Sequence, residues 1–223
     1  MKLKHFINLH KALTFPVVLG LMVAYQNFTP AAWIYLSLHS TYGLLWLLKD
    51  QIYPDKQWEE PASWTTSIVG FLTVGLYWVA PLILISQRVE PAAPLMAVAI
   101  AINILGVFLH YGSDAQKYFT LKYRSGLITE GFFARCRNTN YLGEILIYCG
   151  FALLAQHWLP FVILGGFTAL IFVPNMLKKD RSLARYPEFA AYQANSGLLL
   201  PKWWAGDRPP AETSAPEPLG LQE

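Results

Sequence analysis

Long stretches of this chain carry no charge, and the gaps between charges set its elements. Between Lys11 and Lys49 no residue is charged, and Asn27 to Pro30 marks a turn midway. That pattern predicts two helices of about 17–19 residues, near the minimum for crossing a bilayer. Residues 61–87 form a second uncharged run and residues 91–113 a third. After Glu144 nothing is charged until Lys178, and QHWLP at 156–160 breaks that stretch into a tight hairpin of two shortish helices. The expectation is an all-α polytopic membrane bundle of about six spans. In lipid, backbone polar groups must be satisfied inside each segment.

Composition agrees. The chain is 54% hydrophobic and only 14% charged, against about a quarter charged in a soluble domain. With six spans, 16 of the 17 Lys and Arg residues fall on one side, and only Arg88 on the other. The positive-inside rule then puts both termini in the cytoplasm. Orientation accounts for the positive charge, so nucleic-acid binding is not expected. The basic start MKLKHFINLHK lacks a small-x-small cleavage site after it and is read as an anchor. Residues 50–64 read as an interfacial loop with tryptophan anchors. Residues 1–204 are expected to form one membrane domain, and 205–223, rich in proline and acid, a disordered cytoplasmic tail. Cys136 and Cys149 make no metal spacing, and no metal site is expected.

Three polar clusters break the apolar pattern. In RNTNYLGE, Arg137, Asn140, Tyr141 and Glu144, with Tyr148 beyond, fall on one helical face. Asn138 or Thr139 is placed to cap that helix, and Gly143 lets another backbone or a ligand approach. A carboxylate two turns into a membrane helix costs roughly 2.5–3.5 kcal/mol unless paired or hydrated. Its partner would be Arg137 or a polar ligand. His110, Asp114 and Lys117 share a face at the end of the preceding helix. Lys178, Arg181 and Arg185 form a basic stripe after the last long helix, before Pro187 breaks it. All three clusters are expected at the cytoplasmic ends of the last three long helices. Together they would line one pocket for a soluble cofactor and a lipid-soluble substrate among membrane lipids.

SDAQKYF, GLITEGFFARCRNTNYLGE and RYPEFAAYQANSGLLLP, over about residues 100–204, resemble the steroid 5-alpha-reductase carboxy-terminal family. The resemblance is closest to the branch called domain of unknown function 1295. It implies an NADPH-dependent reductase of a carbon–carbon double bond conjugated to a carbonyl, or of one in a sterol. It also implies that Asp114 and Asn140 hold the cofactor, with Lys117, Arg137, Lys178, Arg181 and Arg185 beside it. Glu144 matches the family's motif glutamate, and with Tyr141 is a catalytic candidate. Tyr192 matches an aromatic of the closing motif, read as structural. Thr139 stands where relatives usually carry proline, and the segment 118–128 is shorter than in many relatives. No G-x-G-x-x-G follows a strand, so a Rossmann site is excluded. The acid that polarises the carbonyl is sought in the amino-terminal half, where His39 and Tyr42 lie at i and i+3.

The same stretch also resembles isoprenylcysteine carboxyl methyltransferases and phospholipid methyltransferases, which use S-adenosylmethionine. The pairing of Asn140 with Glu144 favours the reductase pattern. So does Lys179-Asp180, where methyltransferases carry two acids. A transporter or scaffold would call for a pair of interrupted helices, and the sequence shows none.

Overall fold

The computed structural model describes residues 1–203; the expected tail at 205–223 lies outside the described residues. They form helices α1 (Leu3–Ala24), α2 (Pro30–Ile52), α3 (Trp64–Gly75), α4 (Val79–Ser86), α5 (Ala93–Tyr123), α6 (Thr139–Ala155), α7 (Trp158–Phe167), α8 (Val173–Leu183) and α9 (Phe189–Asn195). No strand occurs among them, only isolated bridges such as Lys2–Pro61 and Cys136–Gly197. The all-α bundle is as expected.

Against the six expected spans, four rods are long and apolar enough to cross a membrane: Leu3–Ala24, Trp64–Ser86, Ala93–Tyr123 and Trp158–Leu183. Helix α2 is as long but more polar, and α6 is apolar but shorter, at 17 residues. The outer surface carries exposed Leu44, Ile68, Leu72, Ile104, Phe108, Val162 and Leu170. So much outward apolar surface fits contact with lipid.

Two rods are irregular. A 3₁₀ turn at Leu76–Trp78 joins α3 to α4, and a π segment at Thr168–Phe172 joins α7 to α8. Each has a proline just downstream. Pro81 cannot donate to the Tyr77 carbonyl four residues back, and Pro174 cannot donate to that of Leu170. The interruptions were not anticipated. Yet the flanking residues Gly75, Trp78, Phe167 and Val173 all keep right-handed helical dihedrals. Neither rod therefore exposes the half-helix ends on which transporter sites are built.

The closest packing is between α5 and α6. A Cβ on Gly143 would lie 2.4 Å from the His110 backbone nitrogen, and one on Gly106 would lie 2.6 Å from the Gly143 oxygen. Gly150 meets the Ala99 oxygen in the same way, at 2.8 Å. Small residues at these positions let the two backbones touch, the usual device where lipid supplies no hydrophobic drive. Asn103 Nδ2 donates to the Ile147 carbonyl at 3.2 Å across this seam. Gly143 therefore admits a backbone, one of the two partners expected for it.

Helix α6 starts at Thr139 after Asn138, as the spacing predicts, but the Asn138 side chain makes no cap bond. Its Nδ2 donates to the Leu198 carbonyl and its Oδ1 accepts from Lys179. The reversal at Gln156, in the left-handed region with φ 46°, makes the expected hairpin.

Candidate functional site

Seven parts of the chain enclose a cavity of about 280 Å³. From α5 come His110 and Asp114, and from α6 Asn140, Tyr141, Glu144 and Tyr148. Of the predicted α6 face, every member except Arg137 lines the cavity. The last rod adds Phe167, Ile171, Phe172 and Asn175, and α3 adds Gly70, Thr73 and Val74. Both irregular turns reach the wall, through Tyr77 and Phe172. The 50–64 loop folds over the space with Asp55, Gln57 and Trp58. Its 3₁₀ turn, Lys56–Glu59, is pinned by Lys2 and Lys4 on Glu59.

Charge pairing decides which groups remain available. Lys49, at 5% exposure, is in contact with Asp114, also at 5%. Lys117 bonds Asp55 at 3.1 Å. Tyr53, just past α2, has its phenol pushed up, first by burial and then by the Asp114 carboxylate. Glu144 lines the cavity and makes no salt bridge among the described residues. Arg137 is not its partner. Arg137 Nη2 meets Asp180 Oδ2 at 3.0 Å, while Nη1 donates to Ser196 Oγ at 3.2 Å. Lys179 donates to the Arg137 carbonyl at 2.7 Å. Arg137 is thus a buried latch joining the start of α6 to α8 and the end of α9. Nearby, burial pushes the Cys136 thiol up.

Several lining atoms are buried without a partner: Asp114 Oδ1, Asn140 Oδ1, His110 Nε2, Tyr77 OH and both ring nitrogens of His10. His110 Nδ1 lies 3.0 Å from the Asn140 carbonyl, which can only accept, so the proton is on Nδ1. In the neutral ring Nε2 is then an acceptor. Asp114, Asn140, His110 and Glu144 together form a wall rich in acceptors. Burying one such group unmet costs ~1–3 kcal/mol, so the set calls for a ligand with hydrogen-bond donors.

Other expected site residues lie elsewhere. His39 is fully buried against Phe151, ring centroids 4.3 Å apart, and does not line the cavity. Tyr42 is buried too, its ring under the Lys11 ammonium at 4.0 Å. Both share one buried face of α2 with Trp46 and Lys49, but sit nearer its N-terminus, and only Trp46 and Lys49, further along the helix, reach the cavity. Lys178, Arg181 and Arg185 are exposed and outside the lining. Arg185 turns back to Ser182 and Tyr186. Tyr192 is structural in its contact, donating to the Phe133 carbonyl at 2.8 Å. Conversely, His10, Lys11, Trp46 and Lys49 line the site and were not foreseen. In the charge pattern the two lysines mark span boundaries. The helices instead run through them, from Leu3 and as far as Ile52.

Residues 49–196, more than half the chain, match the family described as protein of unknown function DUF1295. That match begins well before the stretch carrying the sequence resemblance. An uncharacterised protein of Schizosaccharomyces pombe is 46% identical over 39 residues, which cover 18% of this chain and 14% of that protein. No solved structure matches.

Proposed function

The chain belongs to the DUF1295 family, and we propose that it is a membrane-embedded reductase. In this reading it uses NADPH to reduce a carbon–carbon double bond conjugated to a carbonyl in a lipid-soluble substrate. All six long rods are read as spans, with both termini cytoplasmic. The observation that supports the activity is the unpaired acceptor wall of Asp114, Asn140 and His110 beside Glu144. A nicotinamide carboxamide offers N–H donors to such a wall, so the residues fit that end of the cofactor. When bound, NADPH supplies the hydride.

The chain's own groups divide the remaining work. Asp114 and Asn140 accept from the carboxamide, with Lys49 in contact with Asp114 and holding it in place. Tyr141, its ring tilted against Phe172 with centroids 4.9 Å apart, and Glu144 flank the same space. The cofactor's phosphates are not suited to the cavity itself, where Asp55, Asp114 and Glu144 face Lys11 and Lys49. They would lie outside it. Lys178 continues the Ile171–Asn175 stripe roughly 4.5 Å further along the helix axis. Arg181, Arg185 and Lys117 add cations at that end, and arginine forks suit phosphate.

The same excess of carboxylates favours a second reading. S-adenosylmethionine is a sulfonium cation, and Glu144 amid Tyr77, Tyr141, Tyr148, Trp46 and Trp58 offers it carboxylate and aromatic faces. A thermal-shift comparison in detergent separates the two. A ligand at 100 times its Kd stabilises the fold by about 2.7 kcal/mol. NADPH is expected to raise Tm and S-adenosylmethionine to leave it, with Asn140→Ala and Glu144→Gln each weakening the NADPH response. A response to S-adenosylmethionine alone overturns the reductase reading.

A further inference from the structure

We propose that Lys11 and Tyr148 form a two-donor seat for an electron-rich oxygen, carboxylate or carbonyl, at the end of an apolar ligand. Lys11 lies in the third turn of α1, is 7% exposed and lines the cavity. It makes no salt bridge among the described residues; Glu144 shares the cavity but is not within ion-pair reach. Its ammonium instead donates to Tyr148 OH at 3.1 Å and rests over the Tyr42 ring. An ammonium has three N–H donors, so Lys11 keeps protons to give. The Tyr148 phenol accepts from Lys11 and shares its neighbourhood with the Tyr42 hydroxyl; its own proton can turn to an oxygen in the cavity.

The Lys11 ammonium is touched by a phenol and ring faces, and the Glu144 carboxylate acts on it only across the cavity, so its remaining N–H donors lack an acceptor in contact. An accepting oxygen supplies what is missing. The position is fixed rather than adaptable. A Cβ on Gly43 would lie 2.8 Å from the Lys11 carbonyl, so α2 presses on the α1 backbone there. Tyr148 is clamped by Tyr77, ring centroids 3.5 Å apart. Around the pair the wall is apolar, with Phe6, Ile7, Val74 and Phe167, which suits a hydrocarbon body. The carboxylate of Asp114 can only accept, and the unpartnered buried atom of Asn140 is its Oδ1, so that side of the cavity is built for a ligand's donors. The cavity therefore has one set of groups for a ligand's donors and another for a ligand's acceptor.

The seat is independent of which cofactor the acceptor wall takes. The test uses the full chain in lipid nanodiscs with tritiated hexadecanoic acid, tritiated 2-heptadecanone, and hexadecane as the oxygen-free control. The oxygenated probes are expected to bind above hexadecane. Lys11→Met is expected to weaken the acid about tenfold or more, the size of one charge-assisted hydrogen bond; Lys11→Arg retains part of it. Tyr148→Phe weakens the ketone. Dependence on Lys11 for the acid alone narrows the ligand to an anion, and dependence for both extends it to carbonyls. Oxygenated probes binding no better than hexadecane overturn the proposal. So does unchanged binding in Tyr148→Phe together with a folded Lys11→Met. Should Lys11→Met not fold, the wild-type comparison and Tyr148→Phe still decide. The NADPH thermal shift, run on the same samples, fails or survives separately.

Discussion

Substituting Gly143 by alanine tests whether the α5–α6 seam positions the site. The added Cβ would sit 2.4 Å from the His110 nitrogen, 2.6 Å from the Gly106 oxygen and 2.9 Å from the His110 Cα. All three atoms are backbone, so no side chain can swing aside. The helices must part by roughly 1 Å to restore ordinary contact. Overpacking of this kind costs ~1–3 kcal/mol. The parting also stretches the 3.2 Å bond from Asn103 to the Ile147 carbonyl and the 3.0 Å contact of His110 with the Asn140 carbonyl. Each is worth ~0.5–1.5 kcal/mol. At about 2–4 °C per kcal/mol for a chain of this size, Tm should fall by several degrees. Intrinsic tryptophan fluorescence during heating in detergent reads it. The control is Gly165→Ala in α7, where a Cβ meets nothing within 4 Å. There the helix should gain up to ~1 kcal/mol. A Gly143→Ala protein melting within a degree of wild type refutes the reasoning, as does an equal fall in Gly165→Ala.

The Arg137–Asp180 latch predicts an asymmetry. Arg137→Met strands a buried carboxylate and should cost ~3–5 kcal/mol in thermal unfolding, while adding Asp180→Leu should recover most of it. A double variant no better than the single one contradicts the assignment. Glu59 gives a pH dependence. Its carboxyl is held down to about 2, chiefly by the hydrogen bond from Lys2 and then by that from Lys4. A depressed carboxyl stabilises the fold fully above its unfolded value of about 4.5 and loses that contribution as pH falls toward 2. Pepsin should therefore cut the 56–60 turn more slowly in wild type than in Glu59→Gln at pH 5, with the gap closing by pH 2. A gap that persists at pH 2 argues against the pairing.

Much of the bundle was legible because lipid enforces a simple pattern. The uncharged run at 61–87 became Trp64–Ser86, and the break at 156–160 became a hairpin. The 91–113 run falls short of the helix because a charge need not end one. Helix α5 continues to Tyr123, since Asp114 finds Lys49 and Lys117 finds Asp55. The two irregular turns had a signal that went unread: a proline four residues beyond a carbonyl in each rod. It is not sufficient, since Pro16 sits inside α1 without interrupting it. The convergence of Asp114, Asn140, Tyr141 and Glu144 was legible from helical spacing. That Arg137 turns away to Asp180 was not, because spacing gives a face and not a partner.

Lys11 shows where topology reasoning hides a site. A lysine counted for orientation is accounted for once it is placed on the cytoplasmic side, and nothing more is asked of it. Depth is the missing variable. Lys11 stands eight residues after the first residue of α1, about 12 Å along the axis, and is buried. At that depth a cation must be held by something. Its partner Tyr148 arrives from α6, 137 residues later in the chain, so no local pattern could join them. The acceptor wall lies within the matched segment 49–196, whereas His10, Lys11 and Trp46 precede it. In the proposed reading the groups for the cofactor and the lysine for the substrate's oxygen thus come from different stretches of sequence. Exchanging α1 should change which lipid is accepted while leaving the cofactor response in place.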